Sequence, residues 1–317
     1  LAKSVLEDHL HLTGSIRYDK NENFKGQFSP RLSAVYTFLK THNFRASYQT
    51  GFRIPNCQDQ YIDLQTPQAR LIGGLPFLID RYGLKNGPVY TLESVQAGHP
   101  EPYQFRDFEP ERIIAWEAGY KGLFANKVLV DAYVYTNNFK NFNGSQVLVK
   151  PTGAGTSEIY SIPVNFTKDI KSWGWAVGID YSMPMNFMVG GNISYNELSN
   201  EKDLGGFQAM YNTPKVRYNL YAGNRNIAGS NFGFNVTWRW QDKFIWQSSF
   251  VGPVVRTLGY SEMPAYGTLD AQISKLFPKI KTTVKIGGAN ILKNEYIQSW
   301  GNPTVGAQYY VSLGYNL

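Results

Sequence analysis

A single cysteine, Cys57, stands among the 317 residues, so no disulfide can form within this chain. The four histidines, His9, His11, His42 and His99, form no Cys/His spacing of the metal-binding type, and neither a metal nor a cofactor is expected. No run of about 18 apolar residues is present, which excludes a spanning helix. Dense basic runs are missing too. The net charge of +7 is scattered along the chain, so nucleic acid is not an expected partner. A Ser–His pair can be drawn with Ser15 and His11, but nothing supplies the third, orienting group, and no enzyme is expected.

What the chain has in quantity is aromatic residues: 22 Tyr, 19 Phe and 7 Trp, within a composition that is 43% hydrophobic. Mean hydropathy is nonetheless slightly negative. Abundant rings in a chain of low hydropathy suit a sheet that is apolar on one face only. The last twelve residues, Gly306-Ala-Gln-Tyr-Tyr-Val-Ser-Leu-Gly-Tyr-Asn-Leu317, show the pattern. Tyr309, Val311, Leu313, Tyr315 and Leu317 share one face, whereas Gln308, Tyr310, Ser312, Gly314 and Asn316 share the other. Soluble sheets alternate in this way as well, so a single strand decides little.

The same alternation recurs in twelve segments, at about 6–19, 29–40, 43–53, 111–124, 127–139, 170–183, 187–198, 214–224, 231–249, 265–277, 281–292 and 306–317. Short turns, such as Lys40–Asn43, Phe124–Lys127, Met183–Asn186 and Phe277–Ile280, alternate without a break with long links at about 20–28, 54–110, 140–169, 199–213, 250–264 and 293–305. A membrane β-barrel keeps this parity, with short turns on the periplasmic side and long loops outside; a soluble sandwich has no reason to. The expected fold is therefore all-β, an antiparallel transmembrane barrel wall of about twelve strands in the outer membrane of a Gram-negative cell. Trp238, Trp240, Val311 and Leu313 are expected toward lipid, and Arg239, Gln241 and Ser312 toward the interior. Phe44, Phe52, Phe187, Trp240, Phe244 and Trp246 fall near strand ends, where aromatic girdles are expected.

Three stretches carry a family resemblance. Gly51-Phe-Arg-Ile-Pro55 resembles the GFR-x-P motif of TonB-dependent outer-membrane receptors, and Pro110-Glu-Arg-Ile-Ile-Ala-Trp-Glu-Ala-Gly-Tyr-Lys-Gly-Leu-Phe124 resembles the next family signature. Asn290-Ile-Leu-Lys-Asn-Glu-Tyr296 is similar to the element before the last extracellular loop. All three stand in family order, and the turn style resembles receptors of Bacteroidota. The terminal Leu317 departs from the usual Phe. The resemblance implies that residues 1–317 are the C-terminal part of a 22-stranded barrel, lacking about ten strands and the N-terminal plug; the start at Leu1 without a signal peptide fits that expectation. It implies active import of a scarce nutrient, a siderophore complex, cobalamin, glycan or peptide, driven by the TonB complex acting through the absent N-terminal region. Outer-membrane lipid and a surface lipoprotein complete the expected partners. The alternatives are a passive twelve-stranded porin and a scaffold component of an outer-membrane complex.

Charges on the inward face are expensive toward lipid and are expected to face water, the plug or one another: Arg45, Arg53, Glu117, Lys121, Asp131, Asp180, Arg217, Arg239 and Asp270, with Arg17, Arg31 and Lys285 on the same pattern. For each of them a hydrated wall with mutual ion pairs is the plainer reading. Ligand contacts are expected on the long loops. The 54–110 loop offers Tyr61, Arg70, Arg81, Tyr82, Tyr90 and Tyr103. Arg53, Tyr61, Arg81, Tyr82, Trp246 and Trp300 are the expected substrate contacts, and with the net charge they favour an anionic or polar ligand. The segment Ile72 to Pro88 is expected to be a loop tip whose deletion the barrel tolerates.

Overall fold

The computed structural model describes residues 1–153, 155–199, 211–247 and 262–315. In chain order the strands are β1 (Ala2–Val5), β2 (Leu10–Asp19), β3 (Gln27–Phe38) and β4 (His42–Arg53). A long insertion follows, carrying α1 (Cys57–Tyr61), β5 (Asp63–Gln65), β6 (Arg70–Ile72), α2 (Pro76–Arg81), β7 (Tyr90–Thr91) and α3 (Leu92–Gln96). Next come β8 (Glu111–Phe124), β9 (Val128–Lys140), β10 (Asn143–Gly153), β11 (Thr156–Asn165), β12 (Ile170–Ser182), β13 (Phe187–Leu198) and β14 (Val216–Asn224). The chain continues with β15 (Phe232–Gln241), β16 (Phe244–Ile245), β17 (Glu262–Met263), β18 (Tyr266–Phe277), β19 (Thr282–Ala289) and β20 (Gln308–Tyr315). Among the described residues no helix is long and apolar enough to cross a membrane.

Thirteen strands form one antiparallel sheet in the order β1-β2-β3-β4-β8-β9-β12-β13-β14-β15-β18-β19-β20. The expected count of twelve falls short by one, because residues 2–5, ahead of the expected first strand, form a strand of their own that hairpins onto β2. Leu6, Glu7 and Asp8 take positive φ values of 54°, 53° and 64° and reverse the chain, so that Ala2 pairs with Thr13 and Val5 with Leu10. No glycine, proline or asparagine marks that turn. The extra turn is short, and the alternation of short and long connections persists. The sheet is open, with β1 and β20 as its two edges. The expected ninth strand ends at Gln241, with the two-residue β16 beyond it. Residues 248–249, most of the links 199–213 and 250–264, and Asn316 and Leu317 lie outside the described residues.

The register fixes the faces. Tyr48 pairs with Trp116, Ala46 with Ala118 and Phe44 with Tyr120, all on one side. Trp238 and Trp240 share that side with Leu220 and Tyr218, while Arg239 lies between them on the other side with Asn219. The apolar side stays exposed along its length: Trp116, Leu220, Ile286, Val311 and Leu313 are all more than half accessible. Only lipid makes that arrangement stable. Rings gather at both ends of the band. Toward the short turns Phe38 lies 5.4 Å from Phe44, and Phe44 lies 5.1 Å from Tyr120. Toward the long loops Tyr18 lies 4.8 Å from Phe28. At about 3.3 Å per residue and a strand tilt of roughly 40°, the separation from Phe28 to Phe38 amounts to about 25 Å of membrane depth.

The links 54–110 and 140–169 are not plain loops. They fold together into a cap, a five-stranded sheet in the order β5-β6-β11-β10-β7. Tyr160 of β11 pairs in parallel with Arg70 of β6, so the chain is not antiparallel throughout. The cap has its own core of Ile72, Ile79, Leu84, Val89, Leu148, Tyr160 and Ile162. The segment Ile72–Pro88 is thus not a loop tip but part of the cap core, because Ile72, Leu78 and Leu84 are essentially inaccessible. A second cluster buries Phe142, Ile170 and Leu198 against Phe139, Val164, Phe166 and Tyr211. Ile170 pairs with Phe139 and Leu198 with Ser172, on the same side of the wall as its charges. The polar face thus turns apolar at its long-loop end, where the cap packs on it.

Candidate functional site

Alternation along the strands places Arg45, Glu117, Lys121, Asp131, Asp180, Arg217, Arg239 and Asp270 on one face, and register brings some of them together. Arg45 is the centre of the largest group. Its Nε lies 3.4 Å from Glu117 Oε1 and its Nη1 3.0 Å from Asp131 Oδ1, and its guanidinium sits 5.6 Å from the Tyr133 ring centre. Lys121 Nζ approaches Asp131 Oδ2 at 3.7 Å. Farther along, Arg239 Nη2 pairs with Asp270 Oδ2 at 2.9 Å. Asp180 and Arg217 share the face through Gly190 and Ser194. Half-exposed pairs such as these contribute little stability each. What they provide is a wall that is polar, hydrated and close to neutral over this stretch.

Arg53 and Glu117 lie in the two motifs of β4 and β8 but do not meet each other. Arg53 Nη2 instead reaches Glu111 Oε2 at 3.0 Å, and that same oxygen accepts the backbone N–H of Asn143 at 3.1 Å. Glu111, absent from the expected site residues, is almost completely buried. Its position directly after Pro110 in the second motif was the available signal. The two motifs are therefore joined where both cap insertions leave the wall.

In the cap, two of the expected substrate contacts, Arg81 and Tyr82, gather with Arg70 around one carboxylate. The Tyr82 hydroxyl lies 2.7 and 2.9 Å from the two oxygens of Asp63, Arg70 Nε donates to Asp63 Oδ1 at 2.9 Å, and Arg81 Nη1 to Asp63 Oδ2 at 3.2 Å. The Tyr82 hydrogen bond is the main reason that the Asp63 carboxyl lies below its ordinary range, with Arg70 and Arg81 adding and partial burial opposing. Arg70 also stacks 4.6 Å from the Tyr82 ring centre. Next to this group, Arg81 lies 5.7 Å from the centre of Phe77, and Phe77 lies 6.4 Å from Tyr61. The Tyr61 hydroxyl accepts from Asn23 Nδ2, at 2.5 Å, across from the β2–β3 loop. Tyr61, Phe77 and Arg81 remain well exposed, forming an aromatic and cationic patch on the cap. Asp63 meets Arg81 and Tyr82 only through the cap fold, whereas Phe77 meets Arg81 by the i, i+4 spacing of α2.

Trp246 and Trp300 are not part of that patch. Trp246 follows β16, and Trp300 stands exposed in the β19–β20 loop. Near β16 a separate cleft of about 310 Å³ is lined by Glu197, Lys215, Lys243, Phe244 and Glu262 among others. Among the described residues no cluster of His, Cys, Asp and Glu could hold a metal ion.

Residues 4–291 match the family described as TonB dependent receptor-like, beta-barrel. The chain belongs to this family of outer-membrane receptors. A search of curated proteins returns no match. Solved structures resemble it in fold. The siderophore receptor PirA from Pseudomonas aeruginosa matches 97% of this chain and 45% of its own, at TM-score 0.59 and 15% identity. The ferric enterobactin receptor PfeA from Pseudomonas aeruginosa matches 97% and 43%, at TM-score 0.66 and 14% identity. The copper transporter OprC matches 96% and 45%, at TM-score 0.63 and 12% identity. The chain thus spans less than half the length of these structures.

Proposed function

We propose that this chain supplies thirteen strands to the barrel of an outer-membrane receptor that imports a scarce nutrient with energy delivered through TonB. The observation that carries the reading is the open wall: a family barrel sheet, apolar outside and charged on its other face, whose edges β1 and β20 remain unpaired. A sheet edge cannot face hydrocarbon, so further strands must close it. A closed pore of these strands alone would need β1 against β20. The charged face around Arg45 is the lumen in this reading, and a plug contributed by the rest of the receptor docks there. The patch of Tyr61, Phe77 and Arg81 faces the exterior as a first contact for ligand. Relatives named as receptors for siderophores or as transporters of copper make a metal chelate the first ligand class to test.

Uptake of a radiolabelled ferric siderophore, cobalamin, oligosaccharide and peptide should be measured in cells expressing the complete receptor. The expected result is uptake of one of these, abolished by loss of TonB or by a protonophore. Uptake that survives both treatments overturns active transport in favour of a passive pore. No uptake of any class, with stable co-purification of other outer-membrane proteins, overturns it in favour of a scaffold.

A further inference from the structure

We infer that the cap is clamped in one orientation over the inner face of the wall, with Glu111 and Asn165 as the positioning residues that hold it. Asn165 ends β11 at the point where both insertions return to the barrel. Its Oδ1 accepts the Glu109 N–H at 2.7 Å, and its Nδ2 lies 2.9, 2.8 and 2.7 Å from Glu109 O, Asn141 O and Asn143 Oδ1. Asn141 Nδ2 in turn donates to Glu109 Oε2 at 2.8 Å, and Phe166 N–H donates to Phe142 O at 2.8 Å. One side-chain amide therefore ties together the segment before β8, the segment after β9 and the end of β11. Glu111 adds a charged tie between Arg53 of the wall and Asn143 at the start of β10.

The apolar seam beneath is nondirectional and would tolerate sliding. The ties are directional and would not. Lifting the cap would take the Asn143 N–H away from the nearly buried Glu111 carboxylate, leaving it only Arg53 of the neighbouring wall strand, and a charge-assisted hydrogen bond to a buried carboxylate is costlier to lose than an exposed ion pair. It would also break the Asn165 bonds together rather than one by one. The cap is thus a fixed part of the mouth, and a ligand passes beside it rather than beneath a rising lid. This concerns the attachment of the cap and holds whether or not the cap touches ligand.

The test is a spin-label distance measurement on the complete receptor in lipid vesicles, with Cys57→Ser removing the exposed native thiol. Nitroxides go on Leu64→Cys in the exposed cap strand β5 and on Ile179→Cys on the exposed face of β12. With the ties intact, one narrow distance distribution is expected; the pair Glu111→Gln and Asn165→Ala should broaden it about twofold or more as the cap root loosens. Heat-resistant migration of the variant confirms a folded barrel. Two resolved distances with the ties intact would overturn the inference, as would a width unchanged by the double substitution. Should the double variant not fold, the native distribution and the Asn165→Ala single variant decide by the same criteria.

Discussion

The cap and the wall follow opposite rules within one chain. In the cap, Ile72, Leu84 and Leu148 are 0% exposed, as apolar groups are wherever water is the solvent. In the wall, Val311 and Leu313 are 70% and 74% exposed, and the residues drawn inward are charged. The same side-chain chemistry is sorted in reverse because the wall meets lipid on one face and water on the other. Accessibility alone therefore misreads the molecule: an exposed leucine is ordinary in β20 and would be a defect in β10. The comparison also separates two kinds of cooperativity. The wall is a ladder of hydrogen-bonded neighbours, whereas the cap depends on one compact cluster assembled from two insertions.

That difference is sharpest under truncation. Leu148→Ala removes a fully buried side chain from the cap core and should cost about 3 kcal/mol of cap stability. Deleting Ile72–Pro88 should cost the whole cap, since it removes Ile79 and Leu84 as well as the end of β6. In both variants limited proteolysis should cut within the cap while the barrel keeps its heat-resistant migration. A cap that stays protease-resistant after Leu148→Ala would show that its core does not hold it.

A paired substitution addresses solvent directly. Leu220→Arg places a charge on the lipid face and should destabilise the barrel by about 2–4 kcal/mol if that position lies near the midplane. Leu64→Arg, at a cap position of similar accessibility, should change stability by no more than about 0.5 kcal/mol. Denaturant unfolding in lipid vesicles measures the first, and cap proteolysis the second. Equal effects at both positions would erase the distinction between the two solvents.

The wall was legible because period-two alternation and turn parity are local signals repeated many times, and each repeat constrains the next. Where the local signal was weak, the reading failed with it: of Leu6, Glu7 and Asp8, all with positive φ, only Asp8 is a residue that favours a turn. The cap was illegible for a different reason. β6 pairs with β11 across about ninety residues, and the insertions fold only against each other. From Gly51–Pro55 and Pro110–Phe124 the family could be read, but not the Arg53–Glu111 contact that joins the two motifs. By residue type Arg81 and Tyr82 suit a ligand. What engages them in the fold is Asp63, which leaves Tyr61, Phe77 and Arg81 as the exposed part of the group.

The smallest expected difference between cap and wall is in their response to acid, and it turns on Asp63. Its carboxyl lies below the ordinary range, chiefly because Tyr82 donates to it, with Arg70 and Arg81 adding. An unfolded cap therefore binds a proton at Asp63 more readily than the folded cap does. The stabilisation is fully present above the ordinary aspartate value of about 4 and is lost as pH falls through the lower folded value. Asp59 works in the other direction. Burial raises its carboxyl, so protonating it on acidification favours the folded cap and partly offsets the loss. Cap proteolysis followed from pH 6 to pH 3 should thus show a modest weakening below about pH 4, while heat-resistant migration of the barrel stays flat. Asp63→Asn should weaken the cap at pH 6 and remove most of its further loss on acidification, because the titrating group is gone while Tyr82 and the two arginines remain. An acid response left intact in Asp63→Asn would place the sensitivity on another carboxylate and disprove the role given to Asp63.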